Sequence, residues 1–74
     1  SNMRALLFEL MNPITEQRMR TEIEEAVKRH EPRAQVIGIN VEGQEEQNRY
    51  LVNILFNVSS EAEPQKLETY FERL

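Results

Sequence analysis

The chain has 74 residues, of which 39% are hydrophobic and 30% charged, so it is one domain at most and has the composition of a globular fold. A chain this short buries only about 60–65% of the surface its unfolded form exposes, which makes stability modest or shared with a partner. It has no Cys, which excludes disulfides, zinc-thiolate sites and thiol nucleophiles, and its net charge of −4 is the wrong sign for a generic nucleic-acid binder.

No apolar run approaches the roughly 20 residues that span a bilayer. All 13 acidic residues are Glu, which suits helix surfaces better than Asp does. Ser1-Asn2 before Met3 reads like a protease-cleavage scar, leaving residues 3–74 as the expected single domain.

Residues 4–11 include Ala5, Leu6, Leu7, Phe8, Leu10 and Met11. Apolar positions this dense fit a helical turn or an extended lead-in. The segment is expected to pack on the core, with an exposed partner-binding segment as the alternative.

Asn12-Pro13 signals a helix start, because Asn caps free backbone donors and Pro needs none at the first helical position. The helix is expected to run to about Arg29 or His30. Its apolar stripe is Ile14, Met19, Ile23 and Val27, with Ala26 beside it. Glu16/Arg20, Glu24/Lys28 and Glu25/Arg29 are i,i+4 pairs, expected on a solvated face. Pro32 then ends the helix.

Residues 34–42 alternate, with Ile37, Ile39 and Val41 on one side and Val36, Gly38 and Asn40 on the other. Residues 49–58 alternate more strongly. Tyr50, Val52, Ile54, Phe56 and Val58 form one face; Arg49, Leu51, Asn53, Leu55 and Asn57 form the other. Two β-branched runs around a polar, Gly-containing turn predict a β-hairpin. After Pro64, the spacing of Leu67, Tyr70, Phe71 and Leu74 predicts a last helix.

The expected fold is therefore α+β, in the order helix-strand-strand-helix, with helices on one face of a small antiparallel sheet. Two strands alone are marginal. A third, from residues 4–10 or from another chain, would complete the sheet.

Little here suggests catalysis. The single His, His30, has neither Cys nor Asp to join it and reads as a structural residue at a helix end. Gly38 and Gly43 are the only glycines, too few for a phosphate-binding loop. Paired carboxylates are unavoidable among 13 Glu, and no Trp is present to stack on a sugar ring. No catalytic residue, metal or cofactor is expected.

Glu31-Pro32-Arg33 stands apart. Pro32 limits where its neighbours point, and Arg suits bidentate pairing with a carboxylate. By itself the triplet reads either as an ion pair bracing a corner or as a partner contact.

The flanking sequence supplies a context. Leu7-Phe8-Glu9, Asn12-Pro13-Ile14-Thr15-Glu16-Gln17-Arg18-Met19-Arg20, Ile23-Glu24-Glu25-Ala26-Val27 and His30-Glu31-Pro32-Arg33 together resemble the baseplate wedge family of contractile phage tails. This family is often labelled gene twenty-five-like lysozyme and has relatives in type VI secretion baseplates. The pattern departs from the family at His30, where an aromatic residue is common, and at Ala34, where a larger aliphatic is usual.

The resemblance implies a structural subunit, not an enzyme. Its partners would be other wedge proteins and the tail sheath protein, with no nucleic acid, membrane or small-molecule substrate. It would assemble in the cytoplasm and end in the tail baseplate or a phage-like particle. Glu31, Pro32 and Arg33 become the expected partner-binding residues. Leu51, Asn53 and Leu55 are expected at a strand-edge or sheet-face interface. A regulatory anti-adaptor on the same fold is the alternative, and a peptidoglycan hydrolase a more distant one.

Overall fold

A computed structural model describes residues 2–74. The elements in chain order are α1 (Met3–Leu6), α2 (Pro13–His30), β1 (Gln35–Gln44), a 3-10 turn (Glu45–Gln47), β2 (Arg49–Asn57) and β3 (Gln65–Glu72). The strands form one antiparallel sheet in the order β1-β2-β3, and α2 packs across one face.

The start of α2 follows from Asn12-Pro13. The Asn12 Oδ1 accepts the Thr15 backbone N–H at 2.9 Å, and Pro13 takes the first helical position. Thr15 is buried and its hydroxyl donates to the Leu10 carbonyl at 2.7 Å, which fixes the entering loop. Thr15, Met19 and Ile23, four residues apart, form the buried line of the helix. The expected stripe was rotated by one residue at its start: Ile14 is exposed and Thr15 takes the inward place.

The charged face also differs in part. Glu24 and Lys28 pair at 3.5 Å. Arg20 instead donates to the Gln17 side chain, and Glu16 turns towards β1. Glu25 and Arg29 form no ion pair among the described residues.

The core consists of Leu6, Met19, Ile23, Val41, Tyr50, Val52 and Ile54. The inward residues of β2 are those its alternation predicts. Burying side chains of this size stabilises by about 1.5–3 kcal/mol each. On β1 the alternation breaks, because a bulge lies between Val36 and Gly38. Val36 thereby pairs with Phe56, and Ile37, expected on the inward side with Ile39 and Val41, is half exposed. A bulge inserts one residue and so reverses the faces on one side of it.

The C-terminal helix is corrected to a strand. Residues 65–72 pair with β2 along their whole length, bringing Leu67, Thr69 and Phe71 opposite Ile54, Val52 and Tyr50. Leu67, Tyr70 and Phe71 share a helical face, yet the same run also alternates, and Thr, Tyr and Phe favour strands. Pairing satisfies the second edge of β2 and supplies the third strand that residues 4–10 do not, since α1 lies there.

The two ends of the chain meet. Arg73 donates to the Asn48 side-chain oxygen at 3.2 Å and to the Glu9 carbonyl at 3.0 Å, and the Leu74 N–H donates to the Leu7 carbonyl at 3.1 Å.

Candidate functional site

The Glu31-Pro32-Arg33 corner joins the end of α2 to β1. The Glu31 N–H still donates to the Val27 carbonyl at 2.8 Å, as in a helix, while its backbone is already non-helical. A following Pro disfavours helical backbone at this position, so the helix ends here. The Ala34 N–H donates back to the Glu31 carbonyl at 3.0 Å, closing a tight turn with Pro32 and Arg33 at its tip.

Within this turn Arg33 Nε lies 3.3 Å from Glu31 Oε1. The Arg33 side chain is 87% exposed and that of Glu31 48%. Surface pairs of this kind contribute only about 0–1 kcal/mol. The pair is therefore a weak brace, and the terminal nitrogens of the guanidinium make no hydrogen bond or ion pair among the described residues.

An apolar cleft of about 240 Å³ opens beside the corner. Its walls are Val27, Ala34, Ile54, Phe56 and Leu67, with His30 and Glu31 at the rim. It exists because α2 stops at His30 while the sheet continues beneath. Reading Leu67 as part of a helix hid this cleft from the sequence. The inward alternation of Leu67, Thr69 and Phe71 was the signal that would have found it.

Leu51, Asn53 and Leu55 lie on the outer face of β2, away from α2. They are not on a strand edge, because β2 is the central strand; the sheet edges belong to β1 and β3. Around them stand Tyr70 opposite Leu51, Glu68 opposite Asn53 and Lys66 opposite Leu55. The Arg49 guanidinium stacks over the Tyr70 ring at 4.0 Å. This mixed outer face lies apart from the triplet corner.

Tyr50 is the one titratable group clearly perturbed among the described residues. Burial pushes its phenol above the ordinary range; the Arg73 charge opposes this, and Glu16 and Glu9 add to it. Its hydroxyl has no partner among the described residues, and the side chain is sealed in the core with no open space for a substrate. No group of three or more His, Cys or acidic residues that could hold a metal ion occurs among the described residues. No described helix is long and apolar enough to cross a membrane.

A helix laid on one face of a three-stranded antiparallel sheet, with a charged corner presented at one end, defines a small α+β scaffold domain. The sequence profile of the family described as baseplate wedge protein gp25 matches residues 1–63, and the chain belongs to that family. The family is a structural component of the phage tail baseplate. The match includes the triplet corner and the hairpin; β3 lies beyond it.

The fold is also similar to a crystal structure from Geobacter sulfurreducens, solved at 1.44 Å and provisionally named a tail lysozyme, with a TM-score of 0.77 and 26% identity. The similarity covers 88% of this chain and 60% of that one. No curated protein matches the sequence.

Proposed function

We propose that this chain is a structural subunit of a contractile-tail baseplate wedge that docks to neighbouring wedge proteins through Glu31, Pro32 and Arg33. The observation that carries the reading is the corner itself: an exposed guanidinium at a hydrogen-bonded turn whose Glu31 also lines an apolar cleft. Such a site adds little to the stability of the free chain and suits a partner better. Assembly in the cytoplasm and residence in the finished tail follow from that role.

The second part of the role is to start sheath assembly. A sheet edge can accept a neighbour's strand through backbone hydrogen bonds. On β1 the edge is interrupted by the bulge, and the Gly43 N–H is already taken by Glu16. The eight-residue β3 pairs with β2 without a register shift and is largely exposed, so its outer edge is the better acceptor. Leu51, Asn53 and Leu55 supply a second surface on the outer face of the sheet.

The reading assigns no catalysis to the chain, despite the lysozyme name carried by the similar structure. Turnover of purified peptidoglycan by the isolated protein, lost on a single Glu→Gln change, would overturn this part. For docking, the expected result is co-purification of the chain with neighbouring wedge proteins, and its loss in Arg33→Ala. Retention of those proteins by a folded Arg33→Ala variant would remove the triplet from the interface.

A further inference from the structure

β3 leaves one side of its backbone unused. The Arg73 N–H donates to the Asn48 carbonyl directly opposite at 3.1 Å, so position 73 turns its backbone towards β2. Alternation gives positions 65, 67, 69 and 71 the same direction. It leaves the N–H and C=O groups of Lys66, Glu68, Tyr70 and Glu72 on the outer edge. β3 ends the sheet, so these groups pair with no other strand among the described residues. The four side chains are exposed, and Lys66, Glu68 and Glu72 make no ion pair among the described residues. On the face towards α2, Leu67 is 51% exposed.

This edge is complementary to its own reverse. With a two-fold axis at Thr69, Lys66 stands opposite Glu72 of a second copy, Glu68 opposite Tyr70, Leu67 opposite Phe71, and Thr69 opposite itself. Opposite charges meet at both ends, and Leu67 gains an aromatic neighbour on its open side. The four outward residues meet one another as hydrogen-bonded pairs, as their backbone direction requires. Moving the axis to Glu68 sets that carboxylate against itself, and moving it to Tyr70 sets Glu68 against Glu72; both juxtapose like charges. An axis between residues sets outward backbone groups against inward ones.

We propose that two copies of this chain join edge to edge through β3, antiparallel and centred on Thr69, so that their two sheets become one. A long, unbroken strand edge is a liability for a free chain, and this pairing closes it. Eight residues of edge make a small contact, below about 1,200 Å², so the dimer is of the weak, reversible class. The inference stands on β3 alone and goes beyond the wedge reading. Self-pairing and acceptance of a sheath strand exclude each other, because both use the same backbone groups.

The test is sedimentation velocity of the full chain between about 10 µM and 1 mM, with cysteine crosslinking to read the register. The sedimentation coefficient is expected to rise from monomer to dimer across that range. Lys66→Glu sets like charges together at both ends and is expected to raise the dissociation constant about tenfold. Adding Glu72→Lys to it restores opposite charges in the same register and is expected to recover most of the loss. Glu72 also lies opposite Arg49 of its own chain, so a melting curve of each variant separates weakened folding from weakened pairing.

Where the double variant melts early, the cysteines decide. The chain has no Cys, so Thr69→Cys introduces a single thiol. At the axis, two such residues have Cα atoms about 4.5 Å apart, a separation that a disulfide spans. Two Leu67→Cys thiols would lie about 13 Å apart along the strands. Thr69→Cys is expected to form a disulfide dimer under mild oxidation at least about tenfold faster than Leu67→Cys. A chain monomeric throughout, a Lys66→Glu variant that dimerises like the native chain, or equal crosslinking at both positions would overturn the proposal. A monomer would leave the wedge reading standing, because docking through the corner uses no second copy.

Discussion

The Glu16 carboxylate accepts the backbone N–H of Gly43 at 2.9 Å, joining the first turn of α2 to β1 across 27 positions of sequence. A charged acceptor on a partly buried donor is worth about 1.5–3 kcal/mol, more than a surface ion pair. Glu16→Ala is therefore expected to lower the unfolding free energy by about that amount. Glu16→Gln, which retains an acceptor, should cost less. Equilibrium urea denaturation reads both; unchanged stability in Glu16→Ala would deny the bond its weight.

Gly43 is constrained by what lies above it. A Cβ there would stand 2.6 Å from both Cγ and Sδ of Met11 and 3.2 Å from Glu16 Oε2. Gly43→Ala should destabilise by about 1–3 kcal/mol, as overpacking does. Because Met11 is the flexible partner, Met11→Ala in the same chain should recover part of that loss, a non-additivity expected of touching residues. Denaturation of the two single variants and the double variant measures the coupling; strict additivity would place the strain elsewhere.

The Tyr50 hydroxyl is buried without a partner among the described residues, and burial raises its pKa above 10.0. The sign follows by linkage. Below pH 10.0 the phenol is neutral in both states, and its contribution to stability is fully present. Above that pH the unfolded state ionises first, and stability falls as pH rises towards the folded pKa. Tyr50→Phe should leave stability near neutrality unchanged or slightly higher and flatten the alkaline loss. Melting temperatures of both proteins between about pH 8 and 11 check this, and parallel curves would contradict it.

Removing the Asn12 cap by Asn12→Ala should cost about 0.5–2 kcal/mol, read by the same denaturation. The cap is one of the features the sequence displays openly. Asn12-Pro13 marks the start of α2, Pro32 its stop, and the alternation from Tyr50 to Phe56 the inward face of β2. These signals are local, so a single sequence carries them.

What stayed hidden depends on pairing at a distance. Leu67, Tyr70 and Phe71 satisfy a helical spacing and a strand alternation together; the unsatisfied edge of β2 decides between them. Ile37 follows the alternation of β1 until the bulge changes it. Glu16 looks like one half of an i,i+4 pair with Arg20, and its engagement with Gly43 is visible only once β1 lies across the helix. At the site, the triplet itself stood out, while its apolar cleft needed both the end of α2 and the placement of Leu67 on β3.

Under the proposed docking role, the corner separates stability from function in a way the core does not. Arg33 is 87% exposed and its pair with Glu31 is a surface pair, so Arg33→Ala and Glu31→Ala should each change folding stability by no more than about 1 kcal/mol. The docking role is tested most directly by introducing these two variants into the particle that carries the chain and counting sheathed tails by electron microscopy, beside a melting curve of each isolated protein. The expected result is a near-normal melting temperature with sheathed tails lost or sharply reduced. Normal numbers of sheathed tails from a normally folded variant would contradict it.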